Sequence, residues 1–135
     1  MPAEFFNADI RQFIEKRVDW QRYFSLRATD GAPVDAAEEV QTYLSILQTL
    51  SDICADIEAG ARDHWHEEVK LVDGRVVVPP HIAAGYDKLA AAGLICLTLS
   101  PKYGGYGLPL VLNSAYLEMI ARADSSLMTI VGLQA

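Results

Sequence analysis

A single long stripe of apolar residues constrains this sequence more than any other feature. Apolar side chains recur every three or four residues between Val40 and Ala61, with charged and amide side chains at the positions between them. Asp35 can cap the start of this stripe, and Glu38 follows three residues later, as in a capping box. We therefore predict one long amphipathic helix from Asp35 to about Trp65, which needs an apolar surface to pack against.

A β-hairpin and a further helix are predicted after this stripe. An Asp73-Gly74 pair lies between β-branched residues, which is typical of a type I′ turn, so residues 70–78 predict two short strands. Pro79-Pro80 then starts a helix, because a proline in the first helical turn removes only an N–H that has no partner there. Gly93 can close this helix in the left-handed conformation.

Helices are also predicted towards both ends of the chain. Residues 7–26 predict one or two short helices, and Pro109 starts a mostly apolar helix that we expect to be buried. Asp124 or Ser125 can cap a last helix that begins at Ser126. The predicted fold class is therefore all-α, an up-and-down helical bundle with one small β-hairpin near residues 70–78.

Composition excludes several classes of partner and site. The formal net charge is -7, which argues against nucleic acid because phosphate binding needs clustered Lys and Arg. No apolar run approaches the ~20 residues of a membrane span, and the start of the chain does not resemble a signal peptide, so the expected compartment is the cytoplasm. Cys54 and Cys96 each lie in an apolar run, and we interpret both as reduced core thiols.

Five features in a fixed order resemble the acyl-CoA dehydrogenase family. They are a helix ending in Ala-Gly-Leu, an apolar run, a Tyr-Gly-Gly-x-Gly turn after Pro101, a buried helix with Glu118, and Arg-Ala-Asp-Ser-Ser at residues 122–126. Lys102 stands where the family usually has an acidic residue, at a position that we expect to face solvent. The Gly-Leu-Pro step at residues 107–109 and the long N-terminal segment are similar to the larger members of the family.

The resemblance implies a domain organisation. Residues 1–33 are expected to be an N-terminal helical extension, and residues 34–135 the N-terminal helical domain of the family. The last helix carries the core-type residues Leu127, Ile130 and Val131 and runs to Ala135 with no capping or breaking residue. We therefore expect this domain to be truncated at its C-terminal end.

The resemblance also implies a function for the full-length parent. Members of the family use FAD to oxidise an acyl-CoA thioester to trans-2-enoyl-CoA, with a glutamate as base, and pass the electrons to an electron-transfer acceptor. The base and nearly all flavin contacts belong to later domains, so no catalytic, cofactor-binding or metal-binding residue is expected here, and the fragment alone should be inactive. By the resemblance Met128, Thr129, Gly132 and Leu133 bind the substrate by lining its fatty chain. Homo-oligomers are usual in the family.

The residue at position 132 bears on substrate size. Some relatives place a larger residue there, which shortens the acyl pocket, whereas Gly132 leaves space. We therefore expect a medium-to-long or bulky acyl group.

Other interpretations stay open beside this one. The chain could be a stand-alone helical interaction protein that docks a partner through its apolar C-terminal helix, and a stop codon directly after codon 135 would favour it. A third interpretation keeps the family but not its usual chemistry, because some larger relatives have lost dehydrogenase activity or act on unusual acyl groups.

Local patterns that suggest other sites have simpler explanations. His64 and His66 lie two residues apart, so on a helix they point to different faces, and we interpret this stretch as a solvated helix end rather than a metal site. The glycines of 104–107 lack the Lys-Ser/Thr of a phosphate loop and predict a structural turn. Glu118 is expected to pair with Arg122, four residues on.

Overall fold

The long predicted helix is the central element of a mostly helical fold. The computed structural model describes residues 4–27 and 34–133 of the chain. The elements in chain order are α1 (Ala8–Lys16), α2 (Trp20–Arg27), α3 (Ala36–Ala61), β1 (Lys70–Val72), β2 (Arg75–Val77), α4 (Pro80–Ala91), α5 (Leu110–Ala123) and α6 (Ser125–Gly132). This confirms the predicted helical fold with one small hairpin. No helix of the described part is long and apolar enough to cross a membrane.

Helix α3 packs its apolar stripe against α4 and α5. Its start is capped as predicted, since the Asp35 carboxylate accepts hydrogen bonds from the backbone N–H groups of Ala37 and Glu38, at 2.9 and 3.2 Å. The helix ends at Ala61 rather than near Trp65. The side chains after Ala61 have no core to pack against, with Trp65 80% exposed, so nothing offsets the entropy of further helical residues.

The hairpin and the end of α4 follow their turn residues. Asp73 and Gly74 both have positive φ, 49° and 75°, as a type I′ turn requires, and Leu71 pairs with Val76 in the antiparallel register. Gly93 closes α4 with a φ of 71°. The Leu94 N–H donates to the Leu89 carbonyl at 2.9 Å, which is the long bond of a Schellman motif. Both predictions are confirmed.

The glycine-rich turn is packed against its own backbone. It begins with a short 3₁₀ helix, Pro101–Tyr103, and continues through Gly104 and Gly107, which have φ of 84° and 62°. A Cβ atom on Gly105 would lie 2.2 Å from the carbonyl oxygen of Leu99, so no other residue fits there without moving the chain. These contacts confirm a structural turn, and Lys102 is exposed on it as expected.

The N-terminal segment contributes large side chains to the same core as the later helices. Phe5 and Phe6 are buried, and the N–H of Phe6 donates to the Ser51 hydroxyl of α3 at 3.1 Å. The predicted Glu118–Arg122 pair is wrong. The Arg122 guanidinium instead donates to the Phe5 carbonyl at 3.1 Å, because that carbonyl lies close to the last turn of α5, while Glu118 is exposed.

One thiol of the chain is fully buried, as predicted, and the other is only partly buried. Cys54 lies in the core, whereas Cys96 is half-buried in the turn after α4, where it has a φ of 58°. Burial raises the pKa of the Cys54 thiol to about 12. Cys54 therefore stays protonated and acts as an apolar core residue.

Replacing Gly105 by Ala should destabilise the chain strongly, by about 2 kcal/mol or more, because the new Cβ overlaps the Leu99 carbonyl. Gly60→Ala is the matched control, since Gly60 lies in α3 with no atom within 4 Å of an added Cβ. We expect that change to be neutral or to stabilise by up to ~1 kcal/mol. Urea denaturation followed by circular dichroism measures both, and equal effects would contradict the assigned close approach.

Alkaline pH should weaken the fold through Cys54. The folded thiol keeps its proton up to a pKa of about 12, while the unfolded thiol loses it near ~8.5. The unfolded state therefore binds fewer protons above this lower value, and the free energy of unfolding falls by up to about 1.4 kcal/mol per pH unit. Denaturation curves between pH 8.5 and 10 should show a steeper decline for the parent chain than for Cys54→Ala, and parallel declines would refute it.

Candidate functional site

Helix α6 is held at its start by Asp124. This residue has an extended backbone, and its carboxylate oxygen Oδ1 accepts hydrogen bonds from the N–H groups of Ser126 and Leu127, both at 2.9 Å. These bonds satisfy two of the free donors that begin any helix. Of the two predicted caps, Asp124 is the one that the fold uses.

The inner side of α6 packs against α4 and α5. Leu127 and Val131, one turn apart, are buried there. A Cβ atom on Gly85 would lie 2.7 Å from Cδ2 of Leu127, so the glycine in α4 lets the two helices approach closely. The orientation of α6 is therefore set by packing on its inner side.

The predicted substrate-lining residues lie on the other side of α6. Met128 and Gly132 are half-buried and one turn apart, and Thr129 and Leu133 form an exposed row beside them. Leu133 is 84% exposed, although it is a large apolar side chain. The structure thus brings all four residues together on one face, which we call the outer face of α6.

Packing does not require glycine at position 132. A Cβ atom there would meet Cδ2 of Leu117 at 3.5 Å and the sulfur of Met128 at 3.8 Å, both ordinary van der Waals distances. The backbone carries no positive φ at this residue. A side chain could therefore be accommodated, so the glycine is not explained by the needs of the fold.

A histidine that the sequence analysis did not single out lies near the start of α6. The side chain of His81, on the first turn of α4, is only 7% exposed. Its Nε2 lies 3.6 Å from Oδ2 of Asp124, and its Nδ1 lies 4.0 Å from Oε2 of Glu67. In the sequence, the only signal for this arrangement is that a histidine directly follows Pro79-Pro80. It lies at the positive end of a helix dipole, where nearby carboxylates stabilise a basic side chain.

Glu67 connects this histidine to the stretch interpreted as a solvated helix end. Its Oε1 lies 2.8 Å from Nδ1 of His64, and this hydrogen bond is the largest cause that lowers the pKa of the Glu67 carboxyl. The rings of His64 and His81 stack with centroids 5.9 Å apart. Within the described residues, no group of three or more His, Cys, Asp or Glu side chains is arranged to hold a metal ion.

A cavity of about 360 Å³ opens beside these side chains. His64, Glu67 and His81 lie along it with the Lys88–Asp56 ion pair, whose charged atoms are 2.9 Å apart. The rest of its lining comes from small or apolar residues: Ile57, Gly60, Pro80, Ala84 and Gly85.

The glycine-rich turn does not fit the diphosphate of a flavin. A phosphate cradle needs free backbone N–H groups around an open space. Here the N–H groups of Gly104, Gly105 and Gly107 are bonded to the carbonyls of Pro101, Ser100 and Leu99, at 3.1, 3.3 and 2.7 Å. The turn packs closely on Leu99 and has a structural role, so no flavin contact is assigned to it.

Comparisons with known proteins agree with the sequence resemblance. The family described as "Acyl-CoA dehydrogenase, N-terminal domain" matches residues 45–135. The chain is similar to the 3-methylmercaptopropionyl-CoA dehydrogenase of Ruegeria pomeroyi, with 28% identity over 119 residues. That match covers 87% of this chain and 19% of the relative, so the chain spans about a fifth of its length. No solved structure matches significantly. The chain belongs to the acyl-CoA dehydrogenase family and carries its N-terminal domain.

Proposed function

We propose that the full-length protein is an FAD-dependent acyl-CoA dehydrogenase, and that this chain forms one wall of its acyl pocket. The observation that carries the proposal is the outer face of α6. There Leu133 is 84% exposed beside Met128 and Gly132, on a helix whose position is set by burial of its opposite side. A fatty chain lying on this face would remove apolar surface from water, which stabilises the complex by about 25 cal/mol per Å².

The wall has a defined chemical task in such a reaction. The overall reaction is oxidation of the α,β bond of the thioester to trans-2-enoyl-CoA, in which FAD supplies the acceptor for the hydride. We assign the base and the flavin contacts to parts of the protein outside this chain. Met128, Gly132 and Leu133 would hold the acyl chain and exclude water, while Thr129 is bound within α6, since its hydroxyl donates to the Ser125 carbonyl at 3.0 Å.

The domain boundaries and partners belong to the same proposal. We assign residues 1–33 to an N-terminal extension and residues 34–135 to the helical domain, and the described parts of both contribute to one core. We propose an acyl-CoA substrate, an electron-transfer acceptor, assembly as a homo-oligomer and a cytoplasmic location for the full-length protein. The alternative, a stand-alone interaction protein, would dock its partner through the same exposed Leu133. The assay below distinguishes the two functions.

The full-length protein should show a flavin absorbance spectrum and reduce an electron-accepting dye when acyl-CoA is added. The 135-residue chain mixed with FAD and the same acyl-CoA is the control, and we expect it to give only background dye reduction. A full-length protein that binds flavin but oxidises none of a series of straight and branched acyl-CoAs would contradict the proposed reaction. Sustained turnover by the chain alone would contradict the assignment of the base to another part.

Replacing Gly132 by Phe should shorten the acyl pocket of the full-length enzyme. The added Cβ atom would lie at ordinary van der Waals distances from Leu117 and Met128, so the fold should tolerate the substitution. We expect kcat/KM to fall roughly tenfold or more for the longest accepted acyl chain and to change little for the shortest. Gly60→Ala, in open space on α3, is the matched control. Identical chain-length profiles for the Phe variant and the parent would rule out the assigned role of position 132.

A further inference from the structure

We propose that His81 is a positioning residue that fixes the start of α6, and with it the outer face of that helix. The effect on the acyl pocket rests on the proposed function, because the outer face is the assigned acyl wall. The position of α6 itself rests only on contacts within this chain.

His81 and Asp124 form a mostly buried pair. The side chains of His81 and Asp124 are only 7% and 9% exposed, and Nε2 of His81 lies 3.6 Å from Oδ2 of Asp124. The other oxygen of Asp124 is occupied as the cap of α6, with bonds to the N–H groups of Ser126 and Leu127. One carboxylate therefore holds the first turn of α6 and also contacts α4. Without the imidazole, this mostly buried carboxylate would lose the polar group that faces it from α4, which is costly.

Two residues of α4 contact the start of α6. His81 and Gly85 are one turn apart, so they lie on the same face of that helix. Gly85 contacts Leu127, and His81 faces Asp124. Leu127 and Asp124, at the start of α6, are three residues apart. An apolar contact and a polar contact thus join the start of α6 to α4. Together they restrict both the rotation and the translation of α6 on α4.

Neighbouring side chains restrain the orientation of the His81 imidazole. Glu67 lies on the opposite side of the ring, 4.0 Å from Nδ1, and the ring of His64 stacks on it. Within the described residues the buried Nδ1 has no hydrogen-bond partner, so Glu67 and His64 restrain the ring by charge and by stacking. Lys88 and Asp56, which line the cavity beside His81, form an ion pair with each other at 2.9 Å.

Two amide variants distinguish the roles of Nε2 and Nδ1 of His81. Gln at position 81 can place an amide N–H near the position of Nε2, facing Asp124, whereas Asn is shorter and reaches only the position of Nδ1. His81→Leu removes both polar groups. His66→Gln is the matched control, because His66 is exposed and its ring contacts Trp65 rather than α6. All variants are made in the full-length protein.

Deuterium exchange measured by mass spectrometry on peptides covering residues 125–133 tests the proposal. We expect roughly tenfold faster exchange in His81→Leu and His81→Asn, since the mostly buried Asp124 carboxylate loses its polar neighbour from α4 and the first turn of α6 opens more often. His81→Gln should restore most of the protection, and His66→Gln should match the parent. Peptides within α3 should be unchanged.

Several outcomes would overturn the proposal. Unchanged exchange in His81→Leu would show that α6 does not need the imidazole. Equal loss of protection in the Gln and Asn variants, or a rise spread evenly over α3, would show a general loss of stability instead. The exchange measurement requires no turnover, so its failure is distinguishable from a failure of the proposed acyl-CoA oxidation. Where turnover is present, the Asn variant should raise KM for long acyl chains more than it lowers kcat.

Discussion

The packing of α5 between α3 and α6 is the constraint on which the rest of the structure depends. Met119 and Ile120 of α5 are fully buried, as are Leu50 and Cys54 of α3 and Leu127 of α6. Burying a side chain of this size contributes about 1.5–3 kcal/mol, and α5, together with α4, removes the stripe of α3 from water. Because α5 is covered on both sides, α6 can expose its outer face without exposing the core.

Hydrogen bonds to backbone groups hold the connections between helices. Asp124 caps α6, Gly93 closes α4, and the hydroxyl of Tyr116 in α5 donates to the Leu94 carbonyl at 2.6 Å. Burial of Tyr116 raises the pKa of its phenol above the usual range, so that hydroxyl remains a donor well into alkaline pH. The loops are therefore ordered by the core, and they set where each helix begins.

The proposed site depends on the difference between the buried inner side of α6 and its outer side. A wall for a flexible acyl chain has to be apolar, and it has to be held by residues that do not touch the substrate. Leu127 and Val131 hold α6 from within, Met128 is partly buried against the core, and Gly132 and Leu133 lie on the outer face. The polar pair of His81 and Asp124 at the start of the helix adds direction to this packing.

The sequence by itself determined the elements of the fold, because their signals are local. Spacing of apolar residues predicted α3, Asp73-Gly74 predicted the hairpin turn, and Asp35 and Gly93 marked helix ends, since each acts through neighbours in the chain. The grouping of residues 128, 129, 132 and 133 on one face also follows from helical periodicity. Only the tertiary structure decided the long-range partners. It placed Arg122 on the Phe5 carbonyl and His81 between Glu67 and Asp124, because contacts between residues distant in sequence depend on how the helices pack.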